Sequence, residues 1–408
     1  MWYTLIVKVQ NGVFCGYSVQ KSKDGVFTVK VCGVVCEYNP FHNGHRLQIE
    51  KLRDMGYAVV CVMSGSFVER GEPAILPKHL RAESALASGA DLVLELPFPF
   101  SCFGAERLAL CGVSVMKSCG FINAIAFGSE CADLALLSKA SDFLLTEEFS
   151  SAVRERMKSD RTLGYARARS AVLCEKVGIG LTEPNDILGA EYLKALKKLR
   201  ADGIVPIVLP RTGASHNGTY SESECVASAS YIRQKIKSGD ASEISDFITP
   251  ETAKSLKLCE KADRDLQFKL TVSSIILHGE KGLSDIAEIP DGFESILYGA
   301  ALHAANMDEL ESAVRSKHIT DTKIRRMLLF ALTGVTKSDM ASLPLYTRVI
   351  ASNEEGYRLL KLAKSTTADG FALISGAKHL ANASPAAKRQ FERNNAAERI
   401  FSLIKKQI

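Results

Sequence analysis

From Val31 onward the chain alternates short apolar runs with longer amphipathic stretches. The run Val31-Cys32-Gly33-Val34-Val35-Cys36 contains no charged residue, which predicts a strand buried on both faces. Asn39, Pro40, Asn43 and Gly44 then mark a turn, and a helix is expected over about 45–55. The alternation continues with strands expected at 57–63, 91–96, 124–127 and 204–209. Helices are expected at 79–88, 101–117, 134–143, 187–199 and 228–238. These spacings suit parallel strands joined by helical crossovers, so an α/β fold with a doubly wound, Rossmann-like parallel sheet follows. Ligands of such sheets bind beyond the carboxyl ends of the strands, where the turns after 36, 63 and 127 lie.

After Pro250 the period becomes almost wholly helical, with helices expected at 251–258, 262–277, 293–305, 307–316, 321–332 and 354–364 and in a tail ending at Ile408. The break near 239–250 divides the chain into a sheet domain, 31–245, and a mostly helical C-terminal domain, 246–408. Residues 1–30, with turn signals at Gly12, Gly16 and Gly25, read as a small hairpin or an ill-ordered extension.

Length supports two domains, since a single core rarely grows beyond roughly 250–300 residues and the chain has 408. Composition changes little: 46% hydrophobic and 24% charged is ordinary for a globular protein. A net charge of +5 permits a polyanionic partner without requiring one. No basic segment followed by an apolar core opens the chain, and no run is apolar enough to span a bilayer. The eleven cysteines are scattered and lack zinc-finger spacing. Cys32, Cys36, Cys61, Cys102, Cys111, Cys119, Cys174 and Cys225 read as reduced, buried thiols, which points to a cytoplasmic protein with no membrane association.

The chemistry concentrates in Phe41-His42-Asn43-Gly44-His45, an H-x-G-H string between a buried strand and a helix. A helix start offers free N–H groups and partial positive charge to an anion. Gly44 permits close backbone approach, and His42 and His45 add donors for phosphate oxygens. A second segment, Ser228-Ala229-Ser230-Tyr231-Ile232-Arg233, places capping serines before an arginine able to fork onto phosphate. His42, His45, Ser228 and Arg233 are therefore the candidate catalytic residues. The loop after the second strand, 63–74, supplies Ser64, Ser66 and Arg70 as substrate or loop residues. Lys78 and Arg81, opening the next helix, are candidates to meet phosphate or an RNA backbone. No Walker A loop, nucleophile elbow, complete dinucleotide fingerprint or H-E-x-x-H is present.

These strings resemble a known family. Glu37-Tyr38-Asn39-Pro40-Phe41-His42-Asn43-Gly44-His45 is similar to the signature of the bacterial tRNA(Met) cytidine acetate ligases, within the HIGH nucleotidyltransferase superfamily. The segments 64–74, 127–130, 184–192 and Leu345-Tyr346-Thr347-Arg348-Val349 resemble it too. The family usually has Asn at Ser66, Gln at Glu69, Asp at Pro77 and Asn at Asp186.

The resemblance implies ATP contacts at Val34, Val35, Cys36, Glu37, Tyr38, Asn39, Pro40, Phe41, His42, Asn43, Gly44, His45, Arg46, Gly128, Asn185 and Arg211. It implies ATP and Mg2+ as cofactors, acetate and elongator tRNA(Met) as partners, and acetyl transfer to the wobble cytidine through acetyl-adenylate. For the tRNA, two basic groups are candidates: Lys194, Lys197, Lys198 and Arg200, and Arg315, Lys317, Lys323, Arg325 and Arg326. Two alternatives stay open, a small-molecule adenylyltransferase of the same superfamily and an inactive tRNA-binding relative. The oligomeric state is not legible.

Overall fold

The computed structural model describes residues 19–21, 27–160, 162–211, 226–316 and 319–405. Its centre is a seven-stranded sheet in the order β7-β6-β3-β4-β5-β8-β9. The strands are β3 (Val31–Cys36), β4 (Ala58–Ser64), β5 (Leu92–Leu96), β6 (Ala124–Ser129), β7 (Val205–Pro210), β8 (Tyr346–Ser352) and β9 (Ala372–Ile374). The strands β3 to β7 run parallel, each expected from an apolar run and each found within two residues of its expected place. Before them, β1 (Val19–Lys21) and β2 (Phe27–Val29) pair antiparallel, as a hairpin would. Most of the remaining 1–30 segment lies outside the described residues.

Helices cover both faces, which is why β4 and β5 can be buried along their whole length. On one face, Ile49 and Leu52 of helix Asn43–Asp54 and Ala82 and Ala85 of helix Lys78–Ala87 pack with Val34, Cys61 and Val93. On the other, helices Ala105–Cys119 and Pro184–Lys198 cover Val60, Val62, Leu94 and Phe127. Strand alternation sends neighbouring side chains to opposite layers, so one sequence run feeds both cores.

The chain beyond Pro250 is mostly helical, with two exceptions. β8 pairs antiparallel with β5, and β9 pairs parallel with β8. The mostly helical expectation holds, but these two strands are not anticipated, because β8 is only half-buried along most of its length and carries Thr347 and Arg348 between apolar residues. Such a mixed run gives no strong period. It lies beside β5 because Thr347 Oγ1 donates to the Glu95 carbonyl at 2.7 Å and Arg348 reaches the Glu95 carboxylate.

Of the cysteines expected to be buried thiols, Cys32, Cys61, Cys102, Cys111 and Cys119 are buried and unbridged. Cys36 is half-buried, and Cys174 is exposed on a helix with little amphipathic character, contrary to expectation. Cys225 lies outside the described residues. No helix among the described residues is long and apolar enough to cross a membrane.

Candidate active site

The chain leaves β3 through Glu37 and Tyr38 and enters a helix at Asn43, two residues earlier than expected, with His42 as its N-cap. Tyr38 holds a φ of 50°, a sparsely populated conformation for an aromatic residue. Its ring is fixed by Phe41 at 4.8 Å and its hydroxyl lies 3.3 Å from Cys61 Sγ. The turn is thus held from below by apolar packing.

The two histidines complete a reciprocal cap. His42 Nδ1 accepts from the Gly44 N–H at 3.1 Å, and His45 Nδ1 accepts from the His42 N–H at 3.3 Å. The rings stack with centroids 3.6 Å apart. Because both Nδ1 atoms accept, each neutral ring carries its proton on Nε2 and offers that N–H as a donor. Burial, with Arg211 and Arg233 close by, pushes His42 down to about 3. Burial also holds His45 well below the usual imidazole range, helped by His42 and the same arginines. Both rings are therefore neutral donors near neutral pH. The first helical turn holds no acidic residue to offset its positive end. A Cβ on Gly44 would lie 3.0 Å from the His42 ring and 3.3 Å from Val226, so glycine keeps this face open.

A cavity of about 580 Å³ opens over this turn, a size typical of small-molecule sites. Ser228, Ser230 and Arg233 line it beside His42 and His45. Ser228 caps its helix by accepting from the Tyr231 N–H at 3.1 Å, as the sequence suggested. Arg233 is steadied by the Asn39 carbonyl and Ser230 Oγ, both at 3.0 Å. The H-x-G-H turn and the serine–arginine helix, 183 or more residues apart in the chain, thus meet at one cavity.

On the β6 side, Gly128, Asn185 and Arg211 form the wall. A Cβ on Gly128 would sit 3.1 Å from Arg211 Cγ. Asp186 builds this wall from behind, accepting from Ser129 Oγ at 2.5 Å and the Glu130 N–H at 2.9 Å. Glu130 in turn takes the Asn185 amide at 2.5 Å and lies 3.5 Å from Arg211. On the β4 side the wall holds Ser64, Glu69 and Arg70.

Of the residues that the resemblance implied for ATP, Val35, Cys36, Glu37, Tyr38 and Asn39 also line the cavity. Val34 and Phe41 lie buried beneath it. Asn43 turns away and donates to the Asp246 carbonyl at 2.8 Å, and Arg46 pairs with Glu50 on the outer helix face. Pro40 and Ser66 are not among the lining residues.

Two expectations for cations at this site need correcting. Lys78 is not presented to a ligand: it pairs with Glu95 at 2.7 Å and with Glu398. Arg81 is fully buried and donates to the Glu37 carbonyl at 2.5 Å, to the Leu76 carbonyl at 2.9 Å and to the Gly65 carbonyl. It ties the H-x-G-H approach to the following loop. The sequence also carries a signal for Glu95, a lone carboxylate in the buried run Leu92-Val93-Leu94-Glu95-Leu96. Glu95 gathers Lys78, Arg348 and Asn394 behind the cavity wall.

The basic groups proposed for RNA are largely neutralised. Lys194 pairs with Glu191 and Glu106, Lys197 with Asp142 and Lys198 with Glu106. Arg315 pairs with Asp321, Arg325 with Glu72 and Arg326 with Glu69 and Glu288. Arg200 is exposed, and Lys317 lies outside the described residues.

Comparison with known proteins agrees with this geometry. Residues 29–408 match the model of the HIGH Nucleotidyl Transferase family. A tRNA(Met) cytidine acetate ligase from Caldanaerobacter subterraneus is 37% identical over 354 residues, covering 83% of this chain and 87% of that protein. One from Clostridium perfringens is 34% identical over 362 residues, covering 83% and 88%. The crystal structure of Thermotoga maritima TmcAL bound with alpha-thio ATP superposes with a TM-score of 0.82 at 26% identity, covering 93% of this chain and 96% of that one. With its H-x-G-H turn at the end of the central strand, this chain belongs to the HIGH nucleotidyl transferase family and, within it, to the tRNA(Met) cytidine acetate ligases.

Proposed function

We propose that this protein uses ATP to activate acetate as acetyl-adenylate and then acetylates N4 of the wobble cytidine of elongator tRNA(Met). The observation that carries the first half is the pair of neutral, stacked imidazoles at a helix N-terminus, with Arg233 beside them. An acetate oxygen attacks the α-phosphorus, the bond to the β-phosphate bridging oxygen breaks, and pyrophosphate leaves. His42 and His45 donate through Nε2 to oxygens that gain charge in that step, and Arg233 takes the leaving pyrophosphate. Gly128, Asn185 and Arg211 hold the nucleoside side. No covalent enzyme intermediate is required, since placement and charge stabilisation suffice.

Magnesium, implied by the resemblance, would arrive on the triphosphate. Among the described residues no group of three or more His, Cys, Asp and Glu side chains could hold a metal. No step here depends on it.

In the second half the cytidine N4 attacks the acetyl carbonyl, AMP leaves, and the nitrogen gives up one proton. The names of the relatives support this half, and so does a helical region, 246–408, large enough to dock a folded RNA. Arg315, Arg325 and Arg326, each paired with a carboxylate, do not contribute to that support. The test is transfer of radiolabelled acetate from an ATP-containing mixture to unmodified elongator tRNA(Met), beside a transcript with uridine at the wobble position. Label confined to the first transcript is expected. Equal labelling of both, or none in either, would contradict the proposal.

A further inference from the structure

Among the described residues, Arg70 differs from the other two arginines of the cavity, Arg211 and Arg233, in that its guanidinium has no partner. Its loop is fixed from behind on both sides. Glu69 pairs with Arg326 at 3.0 Å, and Glu72 pairs with Arg325 at 2.5 Å. Between them Gly71 has a φ of 73° and lies so close to helix Asp321–Thr333 that a Cβ would come within 2.5 Å of the Arg326 nitrogen. The Glu69 N–H donates to Glu37 Oε1 at 2.7 Å, which commits the other nearby carboxylate to the loop. Of the three arginines that line the cavity, Arg70 alone has a side chain with no hydrogen bond or ion pair to a described residue, and it is half-buried there, whereas Arg211 meets Asn185 and Glu130 and Arg233 meets Asn39 and Ser230.

Arg70 and Arg233 are close enough that Arg70 contributes, after burial, to holding Arg233 below its usual range. Two guanidinium groups facing one cavity repel each other until an anion lies between them. Arg233 already rests on the Asn39 carbonyl and Ser230 beside the H-x-G-H turn, where the triphosphate belongs. Arg70 comes from the β4 wall, on the loop that follows that strand. Leu96, at the end of β5, and Ala105 line the same cavity and give it small apolar surface. A guanidinium beside a small apolar surface suits a short carboxylate, with its charge on the fork and its alkyl end on the wall.

We propose that Arg70 binds the carboxylate of the acyl donor. This rests on the carboxylate-activating reading above and gives that reading a place for its second anion. By neutralising the carboxylate, Arg70 lets it approach the triphosphate. Both carboxylate oxygens keep lone pairs outside the fork, so one can attack the α-phosphorus. Gly71 and the two arginine–glutamate pairs set where the fork sits.

The test uses full-length wild type, Arg70→Ala and Arg70→Lys, each first shown by thermal melting to be folded. Two quantities are measured without tRNA. One is the KM for acetate in ATP–pyrophosphate exchange. The other is the affinity for α,β-methylene-ATP by calorimetry. The expected result is a KM for acetate raised at least tenfold in Arg70→Ala and less in Arg70→Lys, with analogue affinity within about twofold of wild type. A tenfold loss of analogue affinity with the acetate KM unmoved would assign Arg70 to the phosphates and overturn the proposal. If wild type exchanges with propionate or formate but not acetate, acetate is wrong as the donor. In that case Arg70 stands if the new donor's KM shifts in the same way, and falls if it does not. If no short carboxylate supports exchange, both readings fall.

Discussion

The two walls of the cavity are assembled in different ways. The β6 wall, with Gly128, Asn185 and Arg211, is braced by Asp186 and Glu130, from segments that are 55 to 57 residues apart and lie within the sheet region itself. The β4 wall, with Ser64, Glu69 and Arg70, is braced from far away in sequence. Arg325 and Arg326 hold its loop, Arg348, Asn394 and Glu398 reach the cluster around Glu95 and Lys78, and Lys405 donates to the Ile75 carbonyl at 2.9 Å. The wall proposed to hold the nucleotide thus takes these braces from residues 129–211. The other wall needs the end of the chain. The helical region proposed to meet tRNA is therefore joined by hydrogen bonds and ion pairs to the wall proposed to hold the acyl donor.

The largest test of that difference is Glu95→Ala. It removes the fully buried carboxylate shared by Lys78, Arg348 and Asn394, leaving Lys78 and Arg348 with Glu398 as their remaining carboxylate. A loss of about 3–5 kcal/mol is expected by chemical denaturation. Nucleotide affinity of the folded fraction should change little. Gly71→Ala comes next, because a side chain there meets backbone and the φ is positive. A cost of about 1–3 kcal/mol is expected, with acetate-dependent exchange weakened more than nucleotide binding. Loss of nucleotide affinity as large as the loss of exchange, in either variant, would show that the walls are not separable.

The histidines between the walls give a third effect. His42 titrates near 3 when folded and near 6.5 when unfolded, so the unfolded state binds the extra proton between those values. Stability contributed by its neutral form is complete above 6.5 and is lost as pH falls toward 3. At pH 5.5 the loss from His42 is about 1.4 kcal/mol, and a His42→Asn variant should show a flatter stability profile from pH 7 to 5. The smallest effect is expected for Asp186→Asn. The amide oxygen can still accept from Ser129 and Glu130, so stability should fall by no more than about 1 kcal/mol and nucleotide affinity should stay within a fewfold of wild type.

The same contrast explains what could be read from the sequence. The parallel strands β3 to β7 and the H-x-G-H turn are local patterns: an apolar run, a turn and a helix start lie within about fifteen residues. Ser228 and Arg233 were legible for the same reason. The second wall was not. Lys78, Arg325 and Arg326 look like free cations in sequence because Glu398, Glu72 and Glu69 are far from them along the chain. β8 is not legible because the polar Thr347 and the half-buried Arg348 blur its period, and its role in holding Glu95 depends on contacts 252 and 253 residues apart. Arg81 read as a ligand contact because nothing local shows that three backbone carbonyls enclose it.

The account stands most directly on acetate-dependent ATP–pyrophosphate exchange, measured without tRNA for wild type and His45→Ala, with melting curves recorded for both. It predicts exchange in wild type and a fall of roughly 100-fold or more in the variant at similar melting temperature, as expected for losing a donor to developing charge. Undiminished exchange in a folded His45→Ala protein would contradict the claim that this turn carries the chemistry.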